Sequence, residues 1–182
     1  MTAIDPWIET VSGIQFEFLN PKPDMISIND IANALGNACR YTGQIKPFYS
    51  VAEHAVAVSY LVPQHLALEG LMHDASEAYI ADVASPVKQF LSNYKEMEDV
   101  IMHAVAKKYG FNYPLSKEVK YADLCMLSTE AYDLLPSKGK TWNMWDHIKR
   151  PAYTEGKPAL CLPPEEAKQL FLKRFEELYN AT

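Results

Sequence analysis

LMHDASEAY, residues 71–79, sets His73 and Asp74 side by side with Glu77 one helical turn further on, inside an otherwise apolar stretch. Leu68, Leu71, Met72, Ala75, Ala78 and Tyr79 follow helical spacing and predict one continuous helix with a single apolar stripe. Gly70, His73, Asp74 and Glu77 fall on the opposite face. Taken alone, that face reads as a solvated helix side with an i,i+4 contact between His73 and Glu77.

His54 and Asp123 point to something more specific. SVAEHAVAVSYLV, residues 50–62, is apolar on nearly every side and predicts a buried helix, with His54 in its middle. Asp123 stands in YADLCML, residues 121–127, between side chains that favour burial. A buried histidine can be a hydrogen-bonded core residue, and a buried carboxylate can sit in a salt bridge. An unpaired buried charge is too costly to keep. One divalent ion would satisfy His54, His73, Asp74 and Asp123 together. Two imidazoles and two carboxylates suit Mn, Fe, Co, Ni or Zn, and the oxygen ligands leave room for water. Such a site is catalytic in kind, since structural zinc sites are closed and tetrahedral.

Helices are expected around this group. Ser27 with Asp30 reads as a capping box opening a helix through about Arg40, with Gly43 ending that region. Ser50 with Glu53 reads as a second box. Further helices are expected at Ser92 to Tyr109, at Ser116 to Leu135 and at Pro164 to Tyr179. GIQFEFLNP, residues 13–21, is β-prone. Residues 136–163 show no clear period, and a connection that long is uncommon unless it has a role in function or assembly. The expected fold is all-α, a single domain over 1–182 with its core at about 27–135 and a C-terminal helix at 164–179.

The composition narrows the function. The 182 residues are 48% apolar and 22% charged, the balance of a globular protein, and no run approaches the ~20 apolar residues that cross a bilayer. A net charge of -6 argues against a nucleic-acid polymer as partner, because phosphate-backbone binding needs a basic surface. Cys39, Cys125 and Cys161 form no CxxC pair, which suits reduced thiols. MTAIDPWIET lacks the layout of a signal peptide, so a cytoplasmic protein without membrane attachment is expected.

The order His54, His73-Asp74, Asp123 resembles the HD-domain metal-dependent phosphohydrolases. HDASEAYIADVASPVKQF, residues 73–90, is similar to the segment of the 5'-deoxynucleotidases in which HDASE is followed by an Asp and then Pro-x-Lys. VKYAD, residues 119–123, resembles their VKxAD. FYSVAEH, residues 48–54, and CRYTG, residues 39–43, look closer to small phage-encoded HD proteins, among which are deoxyadenosine triphosphate triphosphohydrolases. The resemblance runs from about Arg40 to Glu130.

It implies an HD-domain helical bundle in a bacterial or phage-infected cell, forming a homo-oligomer and hydrolysing the 5' phosphoester of a deoxynucleotide. The lead substrate is a deoxyadenosine nucleotide, of the monophosphate or triphosphate kind. His54, His73, Asp74 and Asp123 would hold the first metal, with Asp74 able to bridge to a second ion such as Mg. Glu77 and Asp82 would either orient and deprotonate water or help hold a further ion. Arg40 and Tyr41 match an Arg-Trp pair that contacts substrate, with Tyr in place of Trp, and Lys88 matches the Pro-x-Lys lysine expected on phosphate. Lys46 and Lys120 are weaker phosphate candidates. His65 and His103 read as structural or exposed; His147, Trp142 and Trp145 read as packing or subunit contacts. An alarmone hydrolase would need an acid where Ala78 stands, and a cyclic-dinucleotide phosphodiesterase a GYP motif that is absent. A metal-containing nucleotide sensor would not need Glu77 beside the ligands.

Overall fold

Residue 50 opens the element around which the others pack. The computed structural model describes residues 6–140 and 160–180. Its elements are strands β1 (Trp7–Glu9) and β2 (Gln15–Glu17), then helices α1 (Ile28–Asn37), α2 (Val51–Leu61), α3 (Ala67–Met72), α4 (Glu77–Ile80), α5 (Ser85–Lys88), α6 (Tyr94–Tyr109), α7 (Lys117–Leu134) and α8 (Pro164–Tyr179). The structure is mostly helical. The Trp142, Trp145 and His147 reading lies outside the described residues.

α2 packs against α1, α3, α7 and α8, which is why it is apolar all round. The Ser50 hydroxyl accepts the Glu53 amide at 3.1 Å and stops the helix from fraying. The reciprocal half of the expected capping box is missing. The Glu53 carboxylate instead accepts the backbone N–H groups of Cys161 (2.8 Å) and Leu162 (3.0 Å), fastening the chain just ahead of α8 onto α2.

Three other expectations change in detail. Ser27 sits at the start of α1 but makes no side-chain cap bond. Asp30 is turned to Ser12, whose amide (3.0 Å) and hydroxyl (2.6 Å) donate to it and tie the hairpin to α1. α1 stops at Asn37, short of Arg40. From there Cys39 pairs with Ser50 in a lone antiparallel bridge, and Arg40–Gly43 form a tight turn with Tyr41 and Thr42 in the left-handed region. The third change concerns the helix predicted through residues 68–79, which is broken at His73 to Ser76. There Ala75 bonds back to Met72, Glu77 to Asp74 and Tyr79 to Ser76, each at 3.0 Å, so the chain winds more tightly than an α-helix. The apolar stripe survives the break, with Leu71, Met72 and Ala75 fully buried.

The β-prone piece contributes β2, paired antiparallel with β1 through Ile8 and Phe16. Phe16 is buried and stacks on the Tyr79 ring at 3.8 Å, so the hairpin closes the core beneath α4. α6 and α7 fall within two residues of expectation. Gly110 ends α6 at φ 77°, and the Ser116 hydroxyl caps α7 through the Val119 amide at 3.3 Å. α8 spans the expected residues. Among the described residues no helix is long and apolar enough to cross a membrane.

α1 and α8 meet closely at Gly36, where an added Cβ would stand 2.9 Å from the Pro164 carbonyl oxygen and 3.2 Å from Lys168 Cβ. Backbone cannot swing aside as a side-chain tip can. Gly36→Val is therefore expected to lower stability by about 1–3 kcal/mol, the usual cost of overpacking. Urea unfolding checks this; a midpoint equal to that of the wild type would contradict it.

Candidate metal centre

His54 projects from the middle of α2 and His73 from the break after α3, and neither ring can hydrate, being 0% and 4% exposed in the side chain. Each ring is tied at Nδ1. His54 Nδ1 lies 2.6 Å from Glu130 Oε1, and His73 Nδ1 lies 2.8 Å from the Gly70 carbonyl. Carboxylate and carbonyl oxygens only accept, so both Nδ1 atoms carry a proton, and each Nε2 either holds a second proton or offers its lone pair to a cation. The two Nε2 atoms face each other at 3.3 Å. Two lone pairs at that distance repel unless something positive lies between them.

Two carboxylates flank the pair; Asp123 forms with the histidines the group that could hold a metal ion, and Asp74, expected as a fourth ligand, lies beside that group rather than within it. Asp123 Oδ1 from α7 stands 3.1 Å from His54 Nε2 and 3.8 Å from His73 Nε2. Asp74 Oδ2 stands 3.1 Å from His73 Nε2 and 3.8 Å from His54 Nε2. Ligands bonded at about 2.0–2.1 Å around a tetrahedral ion lie about 3.3 Å apart, so these spacings suit a first-row divalent metal. His54, His73 and Asp123 could hold such an ion. The centre is lopsided. Asp123 and Asp74 keep 37% and 21% side-chain exposure against almost none for the histidines, so approach from solvent is from the carboxylate side.

Charge is correspondingly polarised. Burial alone would raise the Asp74 carboxyl, but the neighbouring His73 and His54 rings outweigh it and hold it down at about 2. Asp123 is also held well below the usual carboxylate range, against its burial, by its bonds to the same rings. His73 is pushed well above the usual imidazole range, because Asp74 and Asp123 overcome the cost of burying its charge. In the metal-free protein, protons thus do part of a cation's work.

The remaining expected residues gather close by. Glu77 is 7% exposed and lies 3.6 Å from Lys88 Nζ. Burial first, then the nearby Asp74 and Asp82 charges, push its carboxyl up to about 9. Its Oε2 has no hydrogen-bond partner among the described residues. Asp82 follows Ala81, whose φ of 65° is a conformation that costs a residue with a Cβ on the order of 1–3 kcal/mol. The Tyr94 hydroxyl donates to the Ala81 carbonyl at 2.8 Å and holds that turn. Arg40 is buried; its Nε donates to Glu130 Oε2 at 3.1 Å and its Nη1 lies 3.7 Å from Asp74. The Tyr41 hydroxyl donates to the Leu127 carbonyl at 3.3 Å, and the Arg40 guanidinium carbon lies 5.8 Å from the Tyr41 ring centroid. Lys88 is engaged with Glu98 at 2.9 Å, over the Tyr94 ring. Lys46, Lys120, His65 and His103 are exposed.

Sequence reasoning missed Glu130 and Glu98. Glu130 had a signal: it lies seven residues after Asp123, two turns along the same face of α7, and its neighbours Thr129 and Ala131 are buried. The buried-carboxylate argument applied to Asp123 applies equally there. Glu98 carries no comparable mark, since it lies on the ordinary polar side of α6.

No protein-family model matches the chain. It is 46% identical over 172 residues to the uncharacterized protein YfdR of Escherichia coli (strain K12), covering 94% of this chain and 95% of that protein. It is 28% identical over 189 residues to the uncharacterized protein RCAP_rcc00048 of Rhodobacter capsulatus, covering 96% of each.

Metal uptake must displace the protons held on the imidazoles, so affinity for Co²⁺ is expected to rise with pH between about 6 and 8. Titration calorimetry in two buffers of different ionisation enthalpy should show proton release on binding. His73→Ala should remove the binding. Uptake that is independent of pH, or retained by His73→Ala, would contradict the donor set.

Proposed function

The chain belongs to the family of YfdR of Escherichia coli, and we propose that it is an HD-domain metal-dependent phosphohydrolase acting on the 5' phosphoester of deoxynucleotides, with a deoxyadenosine nucleotide as lead substrate. The observation that carries the reading is the pair of buried Nε2 atoms turned toward each other at 3.3 Å beside Asp74 and Asp123, with Glu77 near enough to Asp74 to feel its charge. A divalent ion held there would neutralise phosphoryl oxygens and acidify water. The chain's own residues supply the rest.

Glu77 is the proton carrier in this reading. Its carboxyl, pushed up to about 9 by burial and by the Asp74 and Asp82 charges, carries its proton at neutral pH, and a cation beside Asp74 would lower it toward the pH at which an acid–base group is most effective. Arg40 gives one donor to Glu130 and turns another toward Asp74, leaving its remaining N–H groups for phosphate oxygens on the open side. Lys88, paired with Glu98 and near Glu77, keeps a third N–H donor that could meet phosphate. Tyr41 is held by its hydroxyl, so its ring offers a fixed face to the sugar or base. Hydrolysis breaks the bond between phosphorus and the 5' oxygen. The deoxynucleoside leaves with its 5'-hydroxyl, and phosphate or triphosphate is the other product.

A panel of deoxynucleoside and ribonucleoside mono-, di- and triphosphates, supplemented with Co²⁺ or Mn²⁺, tests this directly when phosphate, pyrophosphate and triphosphate are resolved. Turnover of dAMP or dATP well above AMP and ATP is expected. Equal rates on the deoxy and ribo forms would remove the deoxynucleotide assignment. Glu77→Gln should keep the metal and lose about 10²- to 10⁴-fold in turnover, the usual contribution of an acid–base group. Loss of metal in step with activity would make Glu77 a ligand instead. Tyr41→Ala should blur the preference among bases more than it slows the best substrate.

A further inference from the structure

Glu130 is 1% exposed, yet it belongs to none of the roles assigned so far. Its carboxylate is divided between two tasks. Oε1 accepts from His54 Nδ1 at 2.6 Å and from the Tyr49 hydroxyl at 2.9 Å. Oε2 accepts from Arg40 Nε at 3.1 Å, with the Tyr41 hydroxyl at 3.5 Å. Asp123, on the same helix, reaches the other nitrogen of the same ring, His54 Nε2, at 3.1 Å. α7 therefore grips the His54 imidazole at both ends.

We propose that Glu130 is a positioning residue of the metal centre: it fixes the tautomer and tilt of His54 so that Nε2 faces the ion, while Arg40 neutralises it from the far side. A buried carboxylate with no role beyond packing would be satisfied by Arg40 and Tyr49 alone. The shortest of its bonds goes instead to a ring whose opposite nitrogen is a metal donor. A carboxylate on the non-ligating nitrogen also raises the basicity of the ligating one. The proposal rests on the metal-centre reading, and its test reads metal binding rather than turnover.

The test measures Co²⁺ affinity by calorimetry, and the visible Co²⁺ absorption of the complex, for wild type and Glu130→Gln, with circular dichroism to verify folding. Removing one partner of a buried pair can unfold a protein, so the double variant Arg40→Gln/Glu130→Gln, which removes both charges of the pair, is measured beside it, with Arg40→Gln alone as the reference for the Arg40 contact to Asp74. In the folded variant, Co²⁺ affinity is expected to fall roughly 10- to 100-fold, as for other partners of metal-bound histidines, and the absorption band to change. Wild-type affinity and an unchanged band in a folded Glu130 variant would overturn the proposal. So would failure of both variants to fold, which would make Glu130 a structural residue first. Wild-type protein that takes up no Co²⁺ would sink the metal centre as a whole. Wild-type protein that binds Co²⁺ but leaves every nucleotide intact would sink only the hydrolase reading.

Discussion

Two imidazoles buried away from water, with their Nε2 atoms turned toward one point, are the constraint on which the rest of the structure depends. Such an arrangement needs positive charge between the rings, which protons or a metal ion can supply. Burial removes the water that would solvate each lone pair, and the Nδ1 bonds to Glu130 and to the Gly70 carbonyl prevent either ring from flipping to relieve the conflict. A protein keeps this arrangement where a cation repays it. The placing of Asp74 beside one ring and Asp123 beside the other then follows, because each carboxylate answers the positive charge held there.

The fold can be understood as the means of holding those rings. α2 is surrounded by α1, α3, α7 and α8, so the helix that carries His54 has little freedom to shift. Glu53, one residue earlier, draws the chain ahead of α8 onto α2, and Asp30 draws the hairpin onto α1. Phe16 beneath Tyr79 supports the short helix that begins at Glu77. The break at His73 to Ser76 is an irregularity in this support. By winding more tightly there, the chain lets His73 reach back to Gly70, whose own position has Val62 and Ser59 close against it.

Much of this was legible in the residues. All-round apolarity identified α2 as buried and its histidine, His54, as a residue in need of a partner; the same burial argument led to Asp123, whose side chain keeps 37% exposure and reaches the rings from the open side. Helix ends marked by Gly110, Ser116 and Pro164 were readable because their chemistry is local. The break in the HDASE helix was not, since the apolar stripe Leu71, Met72, Ala75 and Tyr79 is buried equally well by the tighter winding. Asp30 and Glu53 carried the spacing of capping boxes while serving long-range bonds, a choice that depends on which backbone amides the tertiary fold brings near. Glu130 was hidden for the opposite reason: its partners His54, Arg40 and Tyr49 lie far away along the chain, and its marker was a spacing from Asp123 that has meaning only once Asp123 is accepted as a site residue.

The central claim is that His54 and His73, with aspartate oxygens, form one divalent-metal donor set. X-ray absorption at the metal edge of Co²⁺- or Zn²⁺-loaded protein tests it most directly. The account predicts two imidazole nitrogens plus oxygen donors at about 2.0–2.2 Å, with no sulfur in the shell. Sulfur scatterers at about 2.3 Å, or a shell of oxygens without imidazole, would contradict it.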